Sequence, residues 1–171
     1  MTIRAINPSD REALREHFAS LSVESRYLRF FGARNLLTPQ ELSRLTELDF
    51  AGSAGLVAIE SDDGRERIVG VAHYLDTGVP GHAEFACDVA DDYRDLGIAT
   101  VLLEHLAGIA RTNGITEFDA DVMGSNRRML KVFSDIGFET RQSNVAGVVH
   151  FILKTCESEK HRRAHEKRSL G

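Results

Sequence analysis

The sequence is poor in the residues that mark special environments. Only two cysteines, Cys87 and Cys156, occur in 171 residues, too few for a disulfide framework and without a zinc spacing. Prolines number three, Pro8, Pro39 and Pro80, each at a place suited to a loop or a helix start. No apolar run reaches the length of about 18 residues that a membrane-spanning helix needs. The opening MTIRAINPSDREALRE has no long apolar stretch and turns acidic at once, unlike a secretory signal. Positive charge is not in excess: Lys and Arg total 21 against 26 Asp and Glu, a formal net charge of −5. That balance speaks against a nucleic-acid binder, whose footprint is basic. A Gly-x-x-x-x-Gly-Lys loop, an internal repeat and a Pro/Gly/Ser-rich linker are all missing. These absences leave a cytoplasmic protein as the expectation, with neither a nucleic-acid nor a membrane partner.

What remains is an ordinary globular composition, 42% hydrophobic and 27% charged, long enough to bury a sizeable core. A single domain over residues 1–155 is expected. Residues 156–171 form a charged tail, SEKHRRAHEKRSLG from Ser158 onward, read as a solvated helix extension or a frayed end.

Hydrophobic spacing predicts a strand from Thr2 to Ile6, then a helix capped by Ser9 or Asp10 with Leu14, Phe18 and Leu21 on one face. A capping-box pattern, Thr38-Pro39-Gln40-Glu41, opens a second helix with Leu42, Leu45 and Leu48 inward. Strands follow at Leu56 to Glu60 and Ile68 to Leu75, joined at Ser61-Asp62-Asp63-Gly64 as a hairpin. A third, Ala83 to Val89, sets Phe85, Cys87 and Val89 on one face and Glu84, Ala86 and Asp88 on the other. A long helix carries Val101, Leu102, His105, Leu106 and Ile109. Glu117 to Val122 reads as a strand and Asn126 to Ile136 as a helix stopped by Gly137. Strands near Glu139 to Ser143 and Val148 to Leu153 close the chain around Asn144-Val145-Ala146-Gly147. The order β-α-α-β-β-β-α-β-α-β-β predicts an α/β (α+β) fold. It is a mixed, mostly antiparallel sheet of about six to seven strands with helices on both faces.

The most informative stretch runs from Val89 to Thr100, where a strand ends, a loop follows and a helix starts near Gly97. Gly97 and Ala99 let a ligand approach the backbone, and first-turn N–H groups have no intrahelical partner. Such a helix start suits a pyrophosphate, and Arg94 adds a fixed positive charge at the loop mouth. A plain strand-to-helix turn is the competing account.

Arg94-Asp95-Leu96-Gly97-Ile98-Ala99 resembles the Arg/Gln-x-x-Gly-x-Gly/Ala motif of the GNAT superfamily of N-acetyltransferases. Asn126-Arg127-Arg128-Met129-Leu130-Lys131-Val132-Phe133 with Gly137-Phe138 resembles its second signature. Ser25-Arg26-Tyr27-Leu28-Arg29-Phe30-Phe31-Gly32, with Ala83-Glu84-Phe85-Ala86, looks like the acetyltransferase domain of bacterial protein lysine acetyltransferases of the Pat type. The resemblance spans about residues 2–155 and implies acetyl-coenzyme A as co-substrate. It implies cofactor contacts at Cys87, Asp88, Val89, Arg94, Asp95, Leu96, Gly97, Ile98, Ala99, Thr100, Asn126 and Phe133. In that family a bulge in the fourth strand frees backbone groups for the pantetheine arm, and Cys87 to Val89 occupies its place.

The acceptor implied is a protein lysine or a small amine, met by Tyr27, Arg29, Phe30 and Phe31. Core packing alone would also account for Tyr27, Leu28, Phe30 and Phe31. An amine needs a base at neutral pH. Glu84 stands where Pat-type domains carry their catalytic glutamate, with Asp88 the weaker candidate. Read without the resemblance, Glu84 is a strand carboxylate paired with an arginine. Many members place a tyrosine at Phe133 to protonate the leaving thiolate; Pat-type domains carry phenylalanine, and Tyr93 and Tyr74 are the other hydroxyls. Asn126 serves equally well as a helix cap.

Seven histidines, His17, His73, His82, His105, His150, His161 and His165, show no metal spacing within a core helix, so no metal is expected. His161 and His165 have the spacing but sit in the tail. Cys87 reads as a buried strand thiol, not a nucleophile. Three functions compete: a lysine acetyltransferase, a small-amine acetyltransferase, and a coenzyme A-binding module without turnover. A monomer or a homodimer is expected.

Overall fold

The computed structural model describes residues 1–156 and 158–169. Strand β1 (Thr2–Ala5) leads into a 3-10 turn, Pro8–Asp10, and then helices α1 (Arg11–Ser20), α2 (Val23–Phe30) and α3 (Pro39–Thr46). Strands β2 (Ala54–Asp62), β3 (Arg65–Asp76) and β4 (His82–Val89) precede a second 3-10 turn, Asp91–Tyr93, and α4 (Ile98–Thr112). Then come β5 (Glu117–Met123), α5 (Arg127–Asp135), β6 (Thr140–Val145), β7 (Val148–Lys154) and α6 (Glu159–Ser169). Of the expected tail, residues 157, 170 and 171 and the side chains of His161 and His165 lie outside the described residues.

One seven-stranded sheet runs β1-β2-β3-β4-β5-β7-β6. Every pairing is antiparallel except β4 with β5. Both predicted hairpins form, each on a two-residue turn at positive φ, Asp63-Gly64 and Ala146-Gly147, as strand twist favours.

Asp10 is the N-cap residue of α1, one of the two expected, but makes no side-chain cap bond; the capping bonds belong to the 3-10 turn before it. Asn7, not Ser9 or Asp10, accepts from the Ser9 N–H at 2.9 Å, and Asp10 accepts from the Asn7 N–H at 2.9 Å. Pro8 opens the turn between them, so the capping box begins before the proline. Asp10 is instead buried against Arg4 at 2.8 Å, which ties β1 to the helix start. The Thr38 box is realised as predicted, and Arg34 with the Thr38 N–H holds the Glu41 carboxyl down to about 2. Helix α2 was not foreseen. It is capped by Ser22; Val23, Tyr27 and Phe30 recur at helical spacing, although none of its residues is buried.

Alternation divides the core between the two faces. Leu56, Ala58, Ala72 and Tyr74 meet Leu102, Leu103 and Leu106 of α4 together with Phe133 of α5. Val57, Ile59, Ile68 and Val71 meet Leu14 and Phe18 of α1 and Leu42 of α3. A bulge in β3, where Ala58 pairs Gly70 but Ile59 pairs Ile68, turns Val69 and Gly70 both toward α4. A Cβ on Gly70 would stand 3.0 Å from Ile98 Cγ2 and 3.4 Å from Leu102 Cδ1. This glycine therefore sets how closely the start of α4 approaches the sheet. Gly70→Val should overpack this contact and cost about 1–3 kcal/mol, read as a lower urea midpoint with an unchanged m-value.

Candidate active site

Strands β4 and β5 share only three register pairs, from His82↔Glu117 to Glu84↔Asp119. Beyond that point β4 stays with β3 as far as Val89, and β5 stays with β7 as far as Met123. The two strands fork, and their facing edges have no partner strand among the described residues. A cleft of about 670 Å³ opens there, lined by Phe85–Val89, Ala120–Val122, the start of α4 and one side of α5. The bulge expected at Cys87 to Val89 is not present, since the β3–β4 ladder is unbroken through Val89. β4 is freed because β7 holds β5 along its whole length and draws it away.

The loop after β4 is pinned by the Ala90 N–H to the Val69 carbonyl at 2.8 Å and by the Tyr93 hydroxyl, which donates to Glu60. Asp95 (φ 61) and Gly97 (φ 79) are both left-handed, which turns the chain sharply into α4. Gly97 is the cap residue and no side chain caps the helix. The first intrahelical bond of the turn is Val101 N–H to Gly97 O at 3.1 Å. The N–H groups of Ile98, Ala99 and Thr100 therefore open into the cleft with the helix dipole behind them. A Cβ on Gly97 would meet nothing within 4 Å, so the space over this turn is open.

Arg94, Asp95, Gly97, Ile98, Ala99 and Thr100 all line the cleft, whereas Leu96 points outward at 66% exposure. Arg94 is not a free charge at the mouth. Its guanidinium pairs with Asp91 at 2.5 Å and donates to the Ser25 hydroxyl. The cations facing the opposite side are Arg127, Arg128 and Lys131 of α5, which sequence reasoning did not single out. The basic run after Asn126 was the available signal. Arg128 reaches Asp95 across the mouth at 3.6 Å. Asn126 lines the cleft and caps α5, its Oδ1 accepting from the Met129 N–H at 3.2 Å. Phe133 forms part of the floor, edge-on to Phe151 with centroids 4.9 Å apart.

On the face toward α1 and α2, Glu84 sits at the point of the fork, exposed and lining the cleft. Among the described residues its carboxylate has no ion pair, so the paired-arginine account does not describe it. Asp88, two pleats along, is different. His17 Nε2 lies 2.5 Å from one oxygen and Arg29 Nε 3.4 Å from the other. Burial pushes the Asp88 carboxyl up, but the His17 bond and the charges of His17 and Arg29 outweigh it and hold it below the ordinary carboxylate range. Arg29 also faces His73, whose burial, with Arg29 beside it, pushes its imidazole down to about 3 and keeps it neutral.

Of the four residues expected to meet the acceptor, Arg29 and Phe31 line the cleft. Tyr27 and Phe30 do not. Tyr27 projects outward at 46% exposure, and Phe30 packs edge-to-face on Phe18 at 4.9 Å, because side chains so close together in a helix point to different sides of it. Neither candidate hydroxyl is free: Tyr93 is bonded to Glu60, and Tyr74 donates to the Ala51 carbonyl at 3.1 Å.

The Cys87 side chain belongs to the core on the α4 face, and burial pushes its thiol well above the ordinary range. It offers its backbone to the cleft, not a nucleophile. Iodoacetamide at neutral pH should label the exposed Cys156 and spare Cys87 in the folded protein, a pattern that peptide mass mapping reads directly.

The cleft fits a long, anionic ligand with an amide-bearing arm. A free strand edge offers main-chain partners to the arm, and an uncapped helix start with a basic wall opposite suits phosphates. The sequence profile of the Acetyltransferase (GNAT) family matches residues 20–138. The acetyltransferase PA5475 of Pseudomonas aeruginosa is 35% identical over 136 residues, 80% of this chain and 73% of that protein. The GNAT domain of Streptomyces lividans PAT superposes with a TM-score of 0.79 at 33% identity, covering 89% of each chain. The yncA protein of Salmonella typhimurium, solved with its cofactor acetyl-CoA, shares the fold at a TM-score of 0.70 and 19% identity over 92% of this chain and 95% of its own. Fold, cleft and likeness converge: this chain belongs to the GNAT acetyltransferase family and is an acetyl-CoA-dependent N-acetyltransferase.

Proposed function

We propose that the enzyme acetylates the side-chain amine of protein lysines, with Glu84 as general base. The observation that carries this reading is the Glu84 carboxylate at the apex of the β4–β5 fork, exposed to the cleft and without an ion pair among the described residues. Acetyl-CoA supplies the acyl group as a thioester. The likeness to S. lividans PAT, together with the Ser25–Gly32 resemblance to Pat-type lysine acetyltransferases, supports a protein acceptor.

A lysine ammonium has a pKa of about 10.4 and must lose a proton before its nitrogen can attack. Glu84 takes that proton at the mouth of the fork. The neighbouring carboxylate is unsuited to the task, because both Asp88 oxygens are engaged by His17 and Arg29. Free N–H groups on the β4 edge supply donors for charge developing on a carbonyl oxygen. Phe133 closes the floor to water. It brings no hydroxyl, so the thiolate leaves without a tyrosine donor, in keeping with a thiol pKa of about 8.5. The uncapped first turn of α4, with Arg127, Arg128 and Lys131 opposite, is the phosphate seat, and Asn126 contributes by holding the start of α5.

Radiolabelled acetyl-CoA offered to a panel of proteins and small amines tests the acceptor. Label carried only by polyamines or other small amines would replace the protein reading.

Gly97→Glu should weaken acetyl-CoA binding by about two orders of magnitude or more, since a carboxylate would occupy the open space over the turn and residues with a Cβ resist positive φ. Calorimetry on a variant with unchanged circular dichroism measures this. Glu84→Gln should leave acetyl-CoA affinity within about twofold and lower turnover at neutral pH by about 10²–10⁴-fold. The defect should shrink as pH rises toward the amine pKa, where more acceptor arrives neutral. Wild-type rates in this variant at neutral pH would move the base elsewhere.

A further inference from the structure

Helix α2 walls the acceptor side of the cleft through Ser25, Leu28 and Arg29, yet burial does not explain why it stays there. It has eight residues and none is buried, and Val23 is 70% exposed. An isolated helix shorter than about 12 residues is marginal in water. Its aromatic anchorages are Phe30 edge-to-face on Phe18 and Arg26 over the same ring at 6.0 Å. What else fixes it is polar, and it comes from the elements that face the cofactor.

At the N-terminus the tie is Asp91, the first residue of the 3-10 turn in the loop that leads to the α4 phosphate seat. The Ser22 N–H donates to Asp91 Oδ2 at 3.0 Å, and the Ser25 hydroxyl donates to Oδ1 at 2.7 Å. Arg94, in the same loop, pairs with Oδ1 at 2.5 Å and also donates to the Ser25 hydroxyl. An anionic carboxylate at this helix start further suits the dipole. At the other end Arg29 reaches Asp88 of β4. Burial pushes the Asp91 carboxyl up, but the bonds from Ser25 and Ser22, with Arg94 nearby, outweigh it and keep it ionised.

We propose that Asp91 is a positioning residue that hangs the acceptor wall on the cofactor loop, so that acetyl-CoA binding orders α2. The loop loses freedom when its N–H groups take the phosphates, and α2, tied to it by three short bonds, loses freedom with it. Ordering by one ligand then favours the next without any large movement, and by linkage an acceptor on α2 tightens acetyl-CoA in return. The coupling rests on acetyl-CoA as co-substrate and is independent of which amine accepts the acetyl group.

Hydrogen exchange of the Tyr27, Leu28, Arg29 and Phe30 amides, with and without saturating acetyl-CoA, tests this directly. In the wild type the cofactor should slow these amides about tenfold. In Ser25→Ala, which removes two of the three bonds between α2 and the loop and leaves the Ser22 N–H on Asp91, slowing at α2 should fall below about twofold while residues 97–101 remain protected. Asp91→Ala should behave alike. A helix that is merely packed would respond to the cofactor equally in wild type and variants. That outcome, or an α2 indifferent to acetyl-CoA in the wild type, overturns the proposal.

Discussion

The fork between β4 and β5 is the constraint on which the rest depends. Main-chain N–H and C=O groups need partners wherever they leave bulk water, and here a sheet of seven strands withholds them over half the length of two adjacent strands. The exposed edges leave main-chain donors and acceptors open to whatever enters the cleft. The fork also decides the geometry of everything around it. Its apex holds Glu84, its open end holds the loop and the start of α4, and its floor is Phe133. A fully paired sheet would bury the same residues without leaving space between them.

Two carboxylates on one strand face illustrate how surroundings assign roles. Glu84 and Asp88 belong to the same row of β4, four residues apart in the sequence. Glu84 stands at the fork without an ion pair among the described residues. Asp88 is compensated by His17 and Arg29 and fixed in its ionised form. The first is exposed to the cleft; the second holds α1, α2 and β4 together. Removing one partner from such a buried ion cluster leaves the others uncompensated, which makes Asp88 a structural charge.

Much of this was legible from the residues. Strand and helix order, both hairpins, the Thr38 box, the Gly137 stop and the alternation of β4 follow from period and turn chemistry. The helix start at Gly97 and the placing of Glu84 at its cleft came from motifs. What was hidden is either outward or long-range. Helix α2 shows helical spacing of Val23, Tyr27 and Phe30 but buries none of its residues, so that spacing alone does not say which side chains reach the cleft, and Tyr27 and Phe30 do not line it. The fork itself is a register event between strands about 30 residues apart, and the expected bulge at Cys87 stood in for it. The pairing of Arg94 with Asp91, and of His17 with Asp88 across 71 positions, has no periodic signal at all.

Unpaired strand edges have a thermodynamic counterpart outside catalysis. A ligand that binds the folded chain and not the unfolded one shifts the folding equilibrium by mass action, about 2.7 kcal/mol at one hundred times Kd. That is a large share of the marginal stability of a domain. An open fork thus ties the stability of the folded chain to the occupancy of its cleft, so that a chain with ligand bound melts at a higher temperature than an empty one.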